Sequence, residues 1–405
     1  MNDTIKRVLG EGYRVFFLSA GVFAVLALGW WEFSLAVDFS GAVLGFEPYA
    51  MVPRDWHGHE LVFGYGGAAL GGFLLTAVPN WTGAQGARHW FIGTAAAVWL
   101  AGRLAMFGSG ALAPWLVAGI YLAFLPILWV KVASLLIRRP KPANMVFLLF
   151  LALLWAGNLA THLGLAGLWE EGMAIGIRAG LLALAGMILV IGGRIGPAFT
   201  RNAMHREGVS EERLPRDWPA FTPLMLGAAT LLPLTALIWP GSVLAASVMI
   251  AAGLAQLVRQ ATWGIGFAAR RPILASLHLS IGMVALGLLL MGLSRFTPIT
   301  EVGALHLLAI GGIGGTTLAV MSRATLGHSG RPLIAPRSVA LAYALLPLAA
   351  LLRLAASEVM GALYAPAILA AGAAWSIAFS LYIVALWPAL TGPRPARPPM
   401  SPPPQ

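Results

Sequence analysis

Apolar residues run along this chain in long blocks separated by short polar stretches. They show neither the two-residue alternation of a half-buried strand nor the single apolar stripe of a soluble helix. Twelve blocks lie near 14–38, 56–78, 89–108, 111–137, 143–163, 172–193, 219–239, 243–263, 272–292, 299–325, 336–356 and 363–387. Each reaches the roughly 20 residues needed to cross hydrocarbon. The pattern predicts an all-α fold, a polytopic membrane protein with about twelve transmembrane helices and the lipid bilayer as its main partner. Composition agrees: 59% of the 405 residues are hydrophobic and 10% charged, against about a quarter charged in soluble domains.

Polar positions add the topology. The formal charge is +11, which raises the question of nucleic acid. If the N-terminus is cytoplasmic, however, 21 of the 26 Lys and Arg fall in inside segments, leaving Arg54, Arg103, Arg178, Arg295 and Arg353 outside. That asymmetry is the positive-inside signature. It predicts both termini in the cytoplasm and argues against nucleic-acid binding. The first span follows Lys6, Arg7 and Arg14 without a small-residue cleavage site, so it reads as a retained signal anchor. Cysteine is absent, which removes disulfides, thiolate metal sites and covalently attached haem.

Within this frame the transmembrane domain occupies 1–388 and a proline-rich tail, expected to be disordered, occupies 389–405. The stretch near 194–218 is charged and reads as a surface loop. An internal repeat is also suggested. Setting Pro79 on Pro197 aligns Trp81 with Phe199, and setting Arg323 on Arg194 aligns Ser329 with Thr200. His59, Ile177 and His306 then share one column. Spans two, six and ten become cognate members of three four-helix units, 14–137, 143–263 and 272–387. Chance alignment of low-complexity apolar helices is the alternative.

Imidazoles within a bilayer are costly unless bound. His59 and His306 each open a glycine-rich run, with glycines five residues on (Gly64, Gly311) and eight on (Gly67, Gly314). Glycine-lined helices can approach a flat cofactor or each other closely. Two such imidazoles would clamp a six-coordinate haem b, with Arg54, Arg178 and Arg295 available to neutralise its propionates. His57, about 200° around the helix from His59, would instead pair with His162 at a copper site. His162 follows Asn158 by one turn. His278, His328 and His89 form a candidate second site, and His205 lies in the charged loop. Buried histidines bonded to their neighbours, and arginines that merely anchor helices, are the plain alternatives. Glu60, Glu32 and Glu301 lie within or at the edge of spans, where carboxylates mark proton paths, pairing or metal support. Gly67-x-x-x-Gly71 and Gly311-x-x-x-Gly315 are small-residue packing motifs.

Four segments carry a family resemblance: PRDWHGHELVFGYGGAALGGFLLTAVPNWTG, GGRIGPAFTRN, ALHLLAIGGIGGTTLAVMSRATLGHSGRP and NLATHLG. Together they resemble the NnrS family of bacterial membrane proteins. The resemblance implies a twelve-span inner-membrane protein with haem and copper, acting in nitric oxide metabolism and tolerance of nitrosative stress. It points to His57, His59, Glu60, Asn158, His162, Arg194, His278, His306, His328 and Arg331 without dividing the histidines between the metals. The catalytic subunits of haem–copper oxidases and nitric oxide reductases are more distantly similar, also with twelve spans in three units. Their copper histidines lie on spans six and seven, which have none here, so an oxidase-type binuclear centre is not evident. No electron donor is implied. The competing function is a secondary transporter using membrane-embedded His and Glu as proton relays.

Overall fold

The computed structural model describes residues 3–46, 48–358 and 362–395. Twelve helices are long and apolar enough to span a membrane. They are α1 (Gly12–Phe39), α2 (Pro53–Thr82), α3 (Trp90–Phe107), α4 (Pro114–Leu136), α5 (Pro142–Leu165) and α6 (Gly172–Arg206), then α7 (Phe221–Ile238), α8 (Val243–Ala261), α9 (Pro272–Leu293), α10 (Glu301–His328), α11 (Arg337–Glu358) and α12 (Tyr364–Thr391). No strand occurs among the described residues.

Chain neighbours pack as antiparallel pairs, α5 on α6, α8 on α9 and α11 on α12, while α12 returns to close against α1. Helices α2 and α6 are the most enclosed and α9 and α10 come next, so the interior is built around α2, α6 and α10. Small residues permit the closest crossing. Gly172, Gly176 and Gly180 on α6 repeat every four residues and face Gly157 and Gly164 of α5, so that a Cβ at Gly157 would stand 2.9 Å from the Gly176 carbonyl. Without a hydrophobic drive between helices in lipid, such backbone contact is what holds two spans together.

Three features depart from the expected pattern. First, α6 continues through the expected 194–218 loop as far as Arg206. One face stays apolar and packed, with Gly196 under Trp263 and Ala203 and Met204 buried, while Arg201 and Arg206 face outward. Charge density marked the limit of the apolar block, not the end of the helix.

Second, α2 and α10 each contain a π-helical segment directly after the histidine, Glu60–Tyr65 and Leu307–Gly314. A π segment widens the turn and frees a backbone group; the Trp99 indole N–H donates to the Gly64 carbonyl at 3.0 Å. Third, α12 runs to Thr391, and beyond it Arg394 pairs with Glu11 at 2.5 Å. Contacts therefore reach into the segment assigned to the tail. The remainder of that tail, 396–405, lies outside the described residues.

Candidate metal centre

Two histidine clusters form at the end of the bundle that the charge pattern places outside. They re-pair the histidines relative to the sequence expectation. His57 and His59 do face opposite sides of α2. His59, however, faces α5 and His162, whereas His57 faces α1 and His306.

His59 is fully buried and its ring lies 5.4 Å from that of His162. Tyr121 of α4 packs beside both rings, 4.6 Å from His59 and 5.0 Å from His162, and Phe63 packs 5.1 Å from His59. The Nδ1 atom of His59 lies 3.0 Å from Glu60 Oε1. That same carboxylate accepts the Tyr121 hydroxyl at 2.6 Å and pairs through Oε2 with Arg103 at 2.9 Å. The Arg103 guanidinium rests on the Tyr121 ring, 4.0 Å from its centroid. A carboxylate behind Nδ1 fixes the N–H there and turns the Nε2 lone pair forward, the usual setting of a metal-binding histidine. Forward of Nε2 stands Asn158 Oδ1 at 3.2 Å. Two acceptors facing a neutral ring require a rotated Asn158 amide, a doubly protonated ring or a cation nearby. Both ring nitrogens of His162 are buried without a hydrogen-bond partner.

The second cluster is more open. His57 and His306, both half-buried, lie within electrostatic reach of one another and of Arg353 on α11. Trp31 of α1 stacks on His57, with ring centroids 4.9 Å apart. The His306 Nδ1–H donates to the Val302 carbonyl at 2.7 Å, which leaves Nε2 free. His57 Nδ1 is buried and unpartnered. Glu32 sits against Gly372 of α12 and within electrostatic reach of Arg353.

Several assigned residues stand elsewhere. Arg54 is 81% exposed and pairs with Asp55 at 3.3 Å, and Arg295 is exposed. Arg178 pairs with Glu301 at 2.6 Å. Arg353, read from sequence only as an outside charge, is the arginine beside the half-buried histidines. His278 reaches Thr200 at 2.9 Å and packs on Trp263. The His328 ring lies tilted against Tyr13, 5.6 Å between centroids, and exposed His89 precedes α3 with φ of 38°. No hydrogen bond or ring contact joins those three histidines to one another among the described residues. His205 pairs with Glu211 at 3.4 Å.

The glycine faces do not form an open cradle. A Cβ at Gly64 would meet Phe23 at 2.6 Å, one at Gly71 would meet Phe124 at 3.3 Å, and those at Gly311 and Gly314 would meet Met283 and Trp375. Among the described residues no group of three or more His, Cys, Asp or Glu side chains is placed to hold one metal ion. Arg103, read from sequence only as an outside charge, and Tyr121 are not among the site residues that the sequence suggests. An arginine inside the apolar run LAGRLAM was a usable signal, whereas Tyr121 gave none.

The family model described as NnrS protein matches residues 7–394. The chain belongs to the NnrS family. Comparison with curated proteins gives no match. Membership in the NnrS family is consistent with a nitric-oxide-related membrane protein, and the match takes in every histidine described above.

Proposed function

We propose that this protein binds copper and haem b in a bacterial cytoplasmic membrane, with both termini inside, and acts in nitric oxide metabolism and resistance to nitrosative stress. The observation that carries the reading is His162: an imidazole with two buried, unpartnered nitrogens, 5.4 Å from a second imidazole backed by a carboxylate. Leaving such a group unsatisfied costs about 1–3 kcal/mol per polar atom, and a bound ion removes that cost for the nitrogen that coordinates it.

The two clusters suit different occupants. His59 and His162 are sealed by Tyr121, Phe63 and Asn158, which favours a bare ion, and copper accepts imidazole readily. His57 and His306 are half-buried with Arg353 beside them, which favours a larger anionic group such as haem. Both metals bind nitric oxide and exchange single electrons. Within the protein, Glu60 holds His59 in one tautomer, Tyr121 and Arg103 hold Glu60, and the Val302 carbonyl orients His306. Arg353 offers positive charge to a carboxylate.

The test is iron and copper content, with electron paramagnetic resonance, on full-length protein expressed with both metals available. Copper together with a reducible haem spectrum supports the proposal. A colourless, metal-free protein overturns it and leaves the proton-coupled transporter, in which the same histidines and Glu60 relay protons.

A further inference from the structure

Where α2, α6 and α10 meet, below the histidine clusters, the helices line a partly open cavity of ≈ 70 Å³. Its wall includes Gly66 and Ala69 of α2, Leu184 and Ile188 of α6, and Ile313 and Thr316 of α10. All six are buried. Half-buried Phe73, Ile191 and Val320 lie further toward the expected inner end. The lining carries no charge. The Thr317 hydroxyl is spent on the Ile313 and Gly314 carbonyls at 2.8 and 2.9 Å, so Thr316, whose hydroxyl has no partner, offers the free polar atom.

That chemistry selects the occupant. A buried water needs two to four polar partners, while apolar cavities of this kind stay dry and take up xenon or small hydrocarbons. An ion or a polar metabolite would lose its hydration with nothing in return. A site for a water takes about 10–15 Å³ of such space, so this cavity is large enough for a xenon atom or a few diatomic molecules. One turn toward the histidines from Gly66 and Leu184 of the cavity wall, Phe63 packs on both His59 and Gly180.

We infer that this cavity is a docking site for a small, uncharged, nearly apolar gas, and that it holds such molecules in the membrane interior beside the His59 cluster. Its assignment to nitric oxide rests on the function proposed above; its capacity for apolar gas does not. The glycine and small-residue positions of α2 keep the space open, and the bilayer supplies the gas, since uncharged diatomics partition into hydrocarbon.

Crystals of the full-length protein pressurised with xenon test the inference, with metal content measured on the same preparation. An anomalous peak is expected among Ala69, Leu184 and Ile313, and it should be lost in Ala69→Phe. If that variant does not fold, Val320→Phe at the half-buried side serves the same purpose. No xenon peak there in the wild type, a peak that persists in a folded filled variant, or a lipid or detergent tail in the cavity would overturn the proposal. Xenon binding in a metal-free protein would leave the cavity standing and the metal reading fallen; metal without xenon would do the reverse.

Discussion

Arg103 Nε stands 2.9 Å from Glu60 Oε2, and both side chains are almost sealed, at 6% and 1% exposure. A buried pair of this kind punishes the loss of one partner more than the loss of both, because the survivor is left as an uncompensated charge. Arg103→Ala is expected to cost about 3–5 kcal/mol, read as a lowered midpoint of thermal unfolding in detergent. Arg103→Met combined with Glu60→Leu should recover much of that loss. Additive damage in the double variant would show that the two charges act independently.

The histidine partition makes a sharper prediction. His162→Ala should abolish copper while leaving the haem spectrum intact, and His306→Ala should do the opposite. Metal analysis and absorption spectra of the two variants decide it. Joint loss of one chromophore in His59→Ala and His306→Ala, with both proteins folded, would restore the clamp that the sequence repeat suggested and reject the partition.

Tyr121 ties the network together, donating to Glu60 at 2.6 Å while lying against both His59 and His162. Tyr121→Phe keeps the ring and deletes the donor. Hydrogen bonds to charged groups contribute about 1.5–3 kcal/mol, and outer partners of metal ligands typically govern affinity by about 10–100-fold. A copper affinity weakened within that range, with the fold retained, is expected from competition with a chelator. Unchanged affinity would show that the Tyr121 hydroxyl plays no part in holding Glu60 behind His59.

Much of this was legible in the sequence, and the divisions follow from physics. Span number came from length and apolarity, which hydrocarbon thickness enforces directly. The histidines came from the cost of polar groups in lipid. Their pairing did not, because helix neighbours are chosen by small-residue contact such as Gly176 on Gly157, not by shared depth. His59 and His306 have the same local setting, each followed by a π segment, yet they face different helices. Local similarity is written in the sequence; who faces whom depends on the whole bundle. The end of α6 was misplaced for a related reason: Arg201 and Arg206 are solvated on one face while Ala203 and Met204 are buried on the other.

The α5–α6 crossing carries its own test. A Cβ at Gly176 would be driven into the Gly157 carbonyl and would stand 2.6 Å from the Thr161 methyl and 2.7 Å from its backbone nitrogen. Backbone cannot yield as a flexible side chain does, so Gly176→Ala must push the helices apart. Overpacking of this kind costs about 1–3 kcal/mol. The same displacement moves Asn158, the next residue after Gly157 on α5, and His162, one turn beyond Asn158, away from His59. Gly119, on α4, has nothing within 4 Å of a built Cβ. There Gly→Ala should be neutral or mildly stabilising, since alanine is favoured over glycine in helices by about 0.8–1.0 kcal/mol. Melting temperature and copper content measured on both variants separate the two sites. Equal behaviour at Gly176 and Gly119 would mean that close approach of α5 and α6 does not hold the candidate site together.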